Sequence, residues 1–196
     1  MSAAGALSAA LATAHALGLQ RGEALGAAHT ADVLQRTGLG DVVGSDVGGF
    51  EARVRPGVPP IGEVMPWTPE SVPRSVVLAV ADRSVATRRV LSDPGARDRI
   101  SRIGGRVMEA FLATPTLGGF VAGSRAFARE AGLETPTIRG LLEGLGPGQA
   151  AAQCQLGGSV FAFDPSRTAR ARLEGVEGFV ETRVASRGAF VHGADD

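Results

Sequence analysis

Residues 75–81 read SVVLAVA, and this short run sets the fold class. Apolar, largely β-branched residues follow one another without polar alternation, the pattern of a strand covered on both faces. On its N-terminal side, Pro56, Pro59, Pro60, Pro66, Pro69 and Pro73 interrupt regular structure, so residues 56–73 read as a connector or domain boundary. On its C-terminal side, residues 84–146 read as helices near 84–92, 95–113, 117–131 and 136–145. Pro94, Pro115, Gly132 and Pro136 separate them. Strand patterns return at 150–155, 159–163 and 178–184, with a helix over 167–174. Helices grouped between separated strands predict an α+β chain.

Upstream of the connector, SAAGALSAALATAHALG over residues 2–18 is small and apolar. It predicts a close-packed helix with Ser2 as N-cap and Gly18 as its stop. A second helix is expected over 21–36, with Leu25, Ala28, Asp32 and Gln35 near one face. TGLGDVVGSDVGG follows at 37–49, with glycines at 38, 40, 44, 48 and 49. So much glycine gives up helix and strand propensity for backbone freedom, which predicts a bendable loop carrying Asp41. Phe50–Arg55 then alternates like a strand, with Phe50, Ala52 and Val54 on one side.

The chain has 196 residues, one large domain or two small ones, and enough to bury a core. Apolar residues make up 44% and charged residues 20%, and the formal net charge is zero. That balance is ordinary for a globular protein, and nothing in it suggests a surface for nucleic acid or anionic membrane. No apolar run approaches the roughly 20 residues a spanning helix requires. No basic segment leads into an apolar one at the start. The single cysteine, Cys154, sits in apolar sequence and reads as a core thiol in a reducing cytoplasm. All 20 basic residues are Arg, so the chain supplies no P-loop lysine and no Schiff base.

Three places carry chemistry. At the head, MSAAGALS (1–8) starts a helix whose first N–H groups have no intrahelical acceptor, a setting that suits phosphate, or else an ordinary packing helix. Asp32, late in the second helix, and Asp41, past the glycine turn, form a carboxylate pair. One member of such a pair holds Mg²⁺ while the other orients or deprotonates a hydroxyl; the plain alternative is two solvated aspartates. At QLGGSVFA (155–162), Gly157 and Gly158 precede an apolar strand, either for close approach of a ligand or backbone or as a hairpin turn. His15 and His29 lie on apolar helices and read as packed residues.

In this order the three places resemble the GHMP kinases, named for galactokinase, homoserine kinase, mevalonate kinase and phosphomevalonate kinase. That family has a glycine-rich loop ending in Ser-Ser-Ala-Ala at a helix start, and Ser2-Ala3-Ala4 resembles its end. An acidic metal ligand on the next helix, an aspartate loop and a diglycine correspond to Asp32, Gly40-Asp41 and Gly48-Gly49. Gln155–Ala162 resembles the third glycine motif. The phrases MSAAGALSAALA (1–12), AAHTADVLQRTGLGDVV (27–43), GGFEARVRPGVPPIG (48–62), SRAFAREAGL (124–133) and LGGSVFAF (156–163) are most similar to the archaeal pantoate kinase branch.

The resemblance implies a GHMP-like two-layer architecture with a C-terminal α/β sandwich domain. It places the remainder of the ATP-binding domain at 1–66 and the C-terminal domain at 67–196. It implies ATP-dependent phosphorylation of pantoate in coenzyme A synthesis, with Asp41 catalytic. Ser2, Ala3, Ala4, Gly5, Gly157 and Gly158 would bind nucleotide, and Ser2 and Asp32 would hold Mg²⁺. On side-chain chemistry alone, and not on the resemblance, Arg36 or Arg125 is expected to meet the substrate carboxylate in bidentate fashion. The chain departs from the family by starting inside the second motif, so a missing N-terminal part is expected. Asp32 also stands where the family more often has Glu. The alternatives are a non-catalytic remnant acting as a dimerisation module, and a kinase for another small alcohol such as homoserine or a mevalonate derivative. Unpaired sheet edges in a shortened chain would favour a homodimer.

Overall fold

The computed structural model describes residues 2–38, 40–83 and 87–192, and of Ser2 the backbone alone. The chain divides into two compact units: residues up to Thr68 together with the chain from Ala185 onward, and Pro69–Val184. The first dividing point falls after Thr68, and the chain from Ala185 onward packs with the first unit.

In the first unit, α1 (Ser2–Leu17) and α2 (Arg21–Gln35) form a helical hairpin. Gly18 at φ +67° closes α1, with Leu19 N–H donating to Ala14 O at 2.8 Å. Ala3, Leu7, Leu11 and Ala14 recur at helical spacing on one stripe of α1. They share an apolar cluster with Ala24, Leu25 and Ala28 of α2 and with Val42. Val42 belongs to α3 (Asp41–Val47), a helix where a loop was expected. The run Asp-Val-Val supplies two side chains, Val42 and Val43, that bury almost completely, and this tertiary burial overrides the low propensity of the glycines.

Strand β1 (Phe50–Arg55) follows and pairs antiparallel with β2 (Glu63–Trp67), Phe50 opposite Trp67 and Ala52 opposite Met65. β2 lies inside the stretch expected to be only a connector. Its Pro66 is tolerated in a two-stranded sheet where only one ladder needs donors. The Phe50 and Trp67 rings pack with centroids 5.1 Å apart.

The second unit is built on a four-stranded antiparallel sheet in the order β4-β5-β3-β6, with β3 (Val76–Val80) inside it as SVVLAVA demanded. Its partners are β4 (Ala151–Cys154), β5 (Ser159–Phe163) and the short edge strand β6 (Val180–Thr182). Val77 lies opposite Ala162 and Ala79 opposite Val160. That face packs on α7 (Pro136–Gly144) and α8 (Arg167–Glu174) through Ile138, Leu142, Ala169 and Leu173. Phe120 of α6 (Leu117–Glu130) packs on Phe161 and Phe163, with centroids 6.0 and 6.3 Å away.

The remaining helices are α4 (Thr87–Ser92) and α5 (Pro94–Ala113). The proline and glycine breaks fall where expected, and Asp93, Thr116, Thr135 and Ser166 cap α5 to α8 through side-chain oxygens. Glu134, almost fully buried, is held by Arg129 at 3.2 Å and Arg139 at 2.9 Å. Cys154 is half-buried rather than a core thiol. Among the described residues no helix is long and apolar enough to cross a membrane.

Candidate functional site

Leu25, Ala28 and Asp32 lie on one stripe of α2, so the spacing that buries two apolar side chains also carries a carboxylate inward. Asp32 is 3% exposed. Its Oδ1 accepts a hydrogen bond from Thr37 Oγ1, and its Oδ2 is buried with no partner. A buried carboxylate oxygen left open costs free energy unless something outside the chain meets it. Thr37 N–H also donates to Asp32 O at 3.1 Å, turning the chain at Arg36 (φ +54°) so that it comes back past the carboxylate.

Gly38 sits where that return brings the chain against both acids. A side chain there would overlap Asp32 Oδ2 and come within 3.1 Å of Asp41 Oδ2, so the two carboxylates converge on one spot. Asp41 opens α3 and keeps one side exposed to solvent. Desolvation by the protein crowded around its carboxyl, and then the charge of Asp32, raise its pKa above the ordinary carboxylate range. Arg53 opposes the rise.

The opposite wall comes from β1. Strand alternation puts Ala52 in the core and sends Glu51 and Arg53 to the other face. Gly40, the N-cap of α3, and Gly44, one helical turn on, receive them. A side chain at 40 would run into the Arg53 guanidinium, and one at 44 would stand 3.0 Å from Glu51 Oε1. Two residues of strand and four of helix advance the chain by similar distances, about 6–7 Å. The two side chains can therefore cross the two glycines in step.

Arg53 Nη1 and Glu51 Oε2 are buried without hydrogen-bond partners. Burial lowers the pKa of Arg53, against the charges of Glu51 and Asp41 that raise it. Burial likewise raises the pKa of Glu51, with Arg53 lowering it and Asp41 raising it. The sequence reading missed Glu51 and Arg53. The strand parity already turned them away from the core; what was lacking was α3, whose glycines receive them.

The other expected site residues fall as follows. The backbone of Ser2 begins α1, and its hydroxyl lies outside the described residues. Ala3 is buried in the cluster that contains Val42, beside Asp41, while Ala4 and Gly5 face outward on the first turn. Gly157 and Gly158 belong to the second unit, in the turn between β4 and β5. There the close approach is made by the protein itself: Gly158 O accepts from Ala81 N–H and Asp82 N–H, both at 2.9 Å, and a side chain at 158 would strike the Asp82 carbonyl.

Arg36 is exposed at the end of α2, and Arg125 lies on α6 in the second unit. His15 is exposed rather than packed, while His29 is half-buried as a packed residue, its Nδ1 buried without a partner. Among the described residues no three His, Cys, Asp or Glu side chains form a metal cage. What converges is two carboxylates facing a guanidinium.

A mixed helix-and-sheet fold bearing this charged cluster is similar to a solved structure described as a phosphotransferase related to the CoA biosynthesis pathway. The TM-score is 0.76 and the identity 28%, over 95% of this chain and 62% of that one. Two curated relatives are more specific. The chain is 37% identical over 132 residues to a pantoate kinase of Thermococcus kodakarensis. It is 29% identical over 141 residues to a pantoate kinase of Methanocaldococcus jannaschii. These matches cover 67% and 72% of this chain but 43% and 51% of the relatives, so the chain spans about half the length of the curated relatives it matches. No protein-family profile matches it.

Proposed function

We propose that this chain carries the acid and metal side of a GHMP-type pantoate kinase, which uses ATP to phosphorylate the primary hydroxyl of (R)-pantoate to 4-phosphopantoate in coenzyme A synthesis. The observation that carries the reading is the convergence of Asp32 and Asp41 at Gly38, with an unpartnered carboxylate oxygen on one acid and the Arg53 guanidinium alongside. The names of the two relatives and of the structural neighbour support it. Residues 1–66 are then the remaining part of the ATP-binding domain and 67–196 the C-terminal domain, whose last residues return to the first unit.

In this reading Asp41 accepts the proton of the attacking hydroxyl. Its raised pKa brings it closer to working pH, where a general base combines availability with driving force. Arg53 offers its unpartnered Nη1 to the acceptor carboxylate, a role that fits it better than Arg36 or Arg125 because it stands beside Asp41. The first-turn N–H groups of Ser2, Ala3, Ala4 and Gly5 meet phosphate at the positive end of α1. The open Oδ2 of Asp32 fits a divalent cation, with the Ser2 hydroxyl as a second ligand. Mg²⁺ held there would neutralise charge on the transferring phosphoryl group. Gly157 and Gly158 enter as nucleotide-loop residues through the family resemblance alone.

The test is ATP consumption with a panel of hydroxy acids, comparing the parent with Asp41→Ala. Turnover is expected with (R)-pantoate and not with homoserine or mevalonate. Asp41→Ala should lower kcat by about 10²–10⁴-fold with ATP still bound. A variant retaining a tenth of parent activity would remove Asp41 from the chemistry. A parent that binds ATP yet turns over no acceptor would instead favour a non-catalytic binding module.

A further inference from the structure

We propose that the C-terminal segment Ala185–Val191 is a clasp that holds α3, and with it the Asp41 carboxylate, in place, with Arg21 as the positioning residue that locks it. The proposal rests on the reading of Asp41 given above. At seven residues, α3 is well short of the roughly 12–15 residues at which a helix begins to stand alone in water. Its place is therefore set by what grips it.

At its C-terminal end, hydrogen bonds from the tail and from α2 grip it. Ala189 N–H donates to Ser45 O at 2.8 Å, and Gly49 N–H donates to Ala185 O at 2.7 Å. Arg21, at the head of α2, donates through Nη2 to Asp46 Oδ1 at 2.5 Å and to Ala189 O at 2.6 Å. One guanidinium thus ties three segments. Ala189 and Val191 pack against the cluster that contains Val42. The approach is backbone to backbone: a side chain at Gly48 would enter the Arg187 main chain, and one at Gly188 would enter the Asp46 carbonyl. Arg187 lies 3.5 Å from the centre of the Phe190 ring, bracing the segment.

The experiment compares the full chain with Arg21→Gln, Arg21→Lys and Gly188→Ala, reading native-state hydrogen exchange and steady-state kinetics. For Arg21→Gln, exchange at Val43, Gly44 and Gly48, whose N–H groups donate to Gly40 O and Gly44 O, is expected to quicken by about tenfold or more while α1 and the second unit keep their protection. The kcat should fall by about tenfold with KM for ATP within about twofold, and Arg21→Lys should recover part of both. Gly188→Ala should reproduce the pattern; if it fails to fold, Arg21→Gln decides. Unchanged exchange in α3, uniform loss of protection everywhere, or a loosened α3 with unchanged kcat would each overturn the proposal. A parent with no turnover would count against the kinase reading, while the exchange pattern still decides the clasp.

Discussion

Arg53 lies across Gly40, next to Asp41 in the chain, because position 40 has no side chain and the guanidinium occupies the space one would need. In the kinase reading proposed above, with Nη1 unpartnered, its removal should cost acceptor binding more than chemistry. Arg53→Met is expected to raise KM for pantoate by about tenfold or more, the scale of one charged hydrogen bond at roughly 1.5–3 kcal/mol, with kcat changed less. An unchanged KM would place the acceptor carboxylate elsewhere.

Glu51 gives a test by pH. Burial holds its pKa above the ordinary glutamate value, so the folded state keeps its proton to higher pH than the unfolded state does. Between the two values the folded state binds more protons, and stability falls as pH rises through that window. Chemical denaturation of the parent and Glu51→Gln should therefore show the parent losing ground to the variant from its ordinary pKa upward, and levelling off beyond the raised one. A difference that is flat with pH would show that Glu51 does not titrate there.

At the scale of elements, the lesson lies in α3 and β2. Thr37–Gly49 reads as loop by propensity, and residues 56–73 read as connector or domain boundary by their prolines. Both contain regular structure because Val42 and Val43 find a core and β1 supplies a ladder. Elements whose signals are local needed no such help. Pro136 marks the break before α7, and in the structure Thr135 caps that helix: its Oγ1 accepts from Ile138 N–H and donates to Asp82 Oδ2 at 2.7 Å. Thr135→Ala is expected to lower stability by about 1–2 kcal/mol, read as a shift of the denaturation midpoint at constant m-value. A loss of a few tenths or less would show the cap to be idle.

For the molecule as a whole, the sequence alone determined the mixed helix-and-sheet class and most element positions, and it named the two carboxylates that meet at Gly38. These rest on short-range causes: the period of apolar residues, turn chemistry, capping side chains, and a run of β-branched residues long enough to need cover on both faces. Asp32 was legible because it shares the stripe of Leu25 and Ala28. Tertiary structure decided what depends on residues far apart in the chain. It brought Glu51 and Arg53 across Gly40 and Gly44, left one oxygen of Asp32 open, and returned the segment after Ala185 to hold a helix that could not hold itself. Such contacts join distant positions, and no window of neighbouring residues records which partner will arrive.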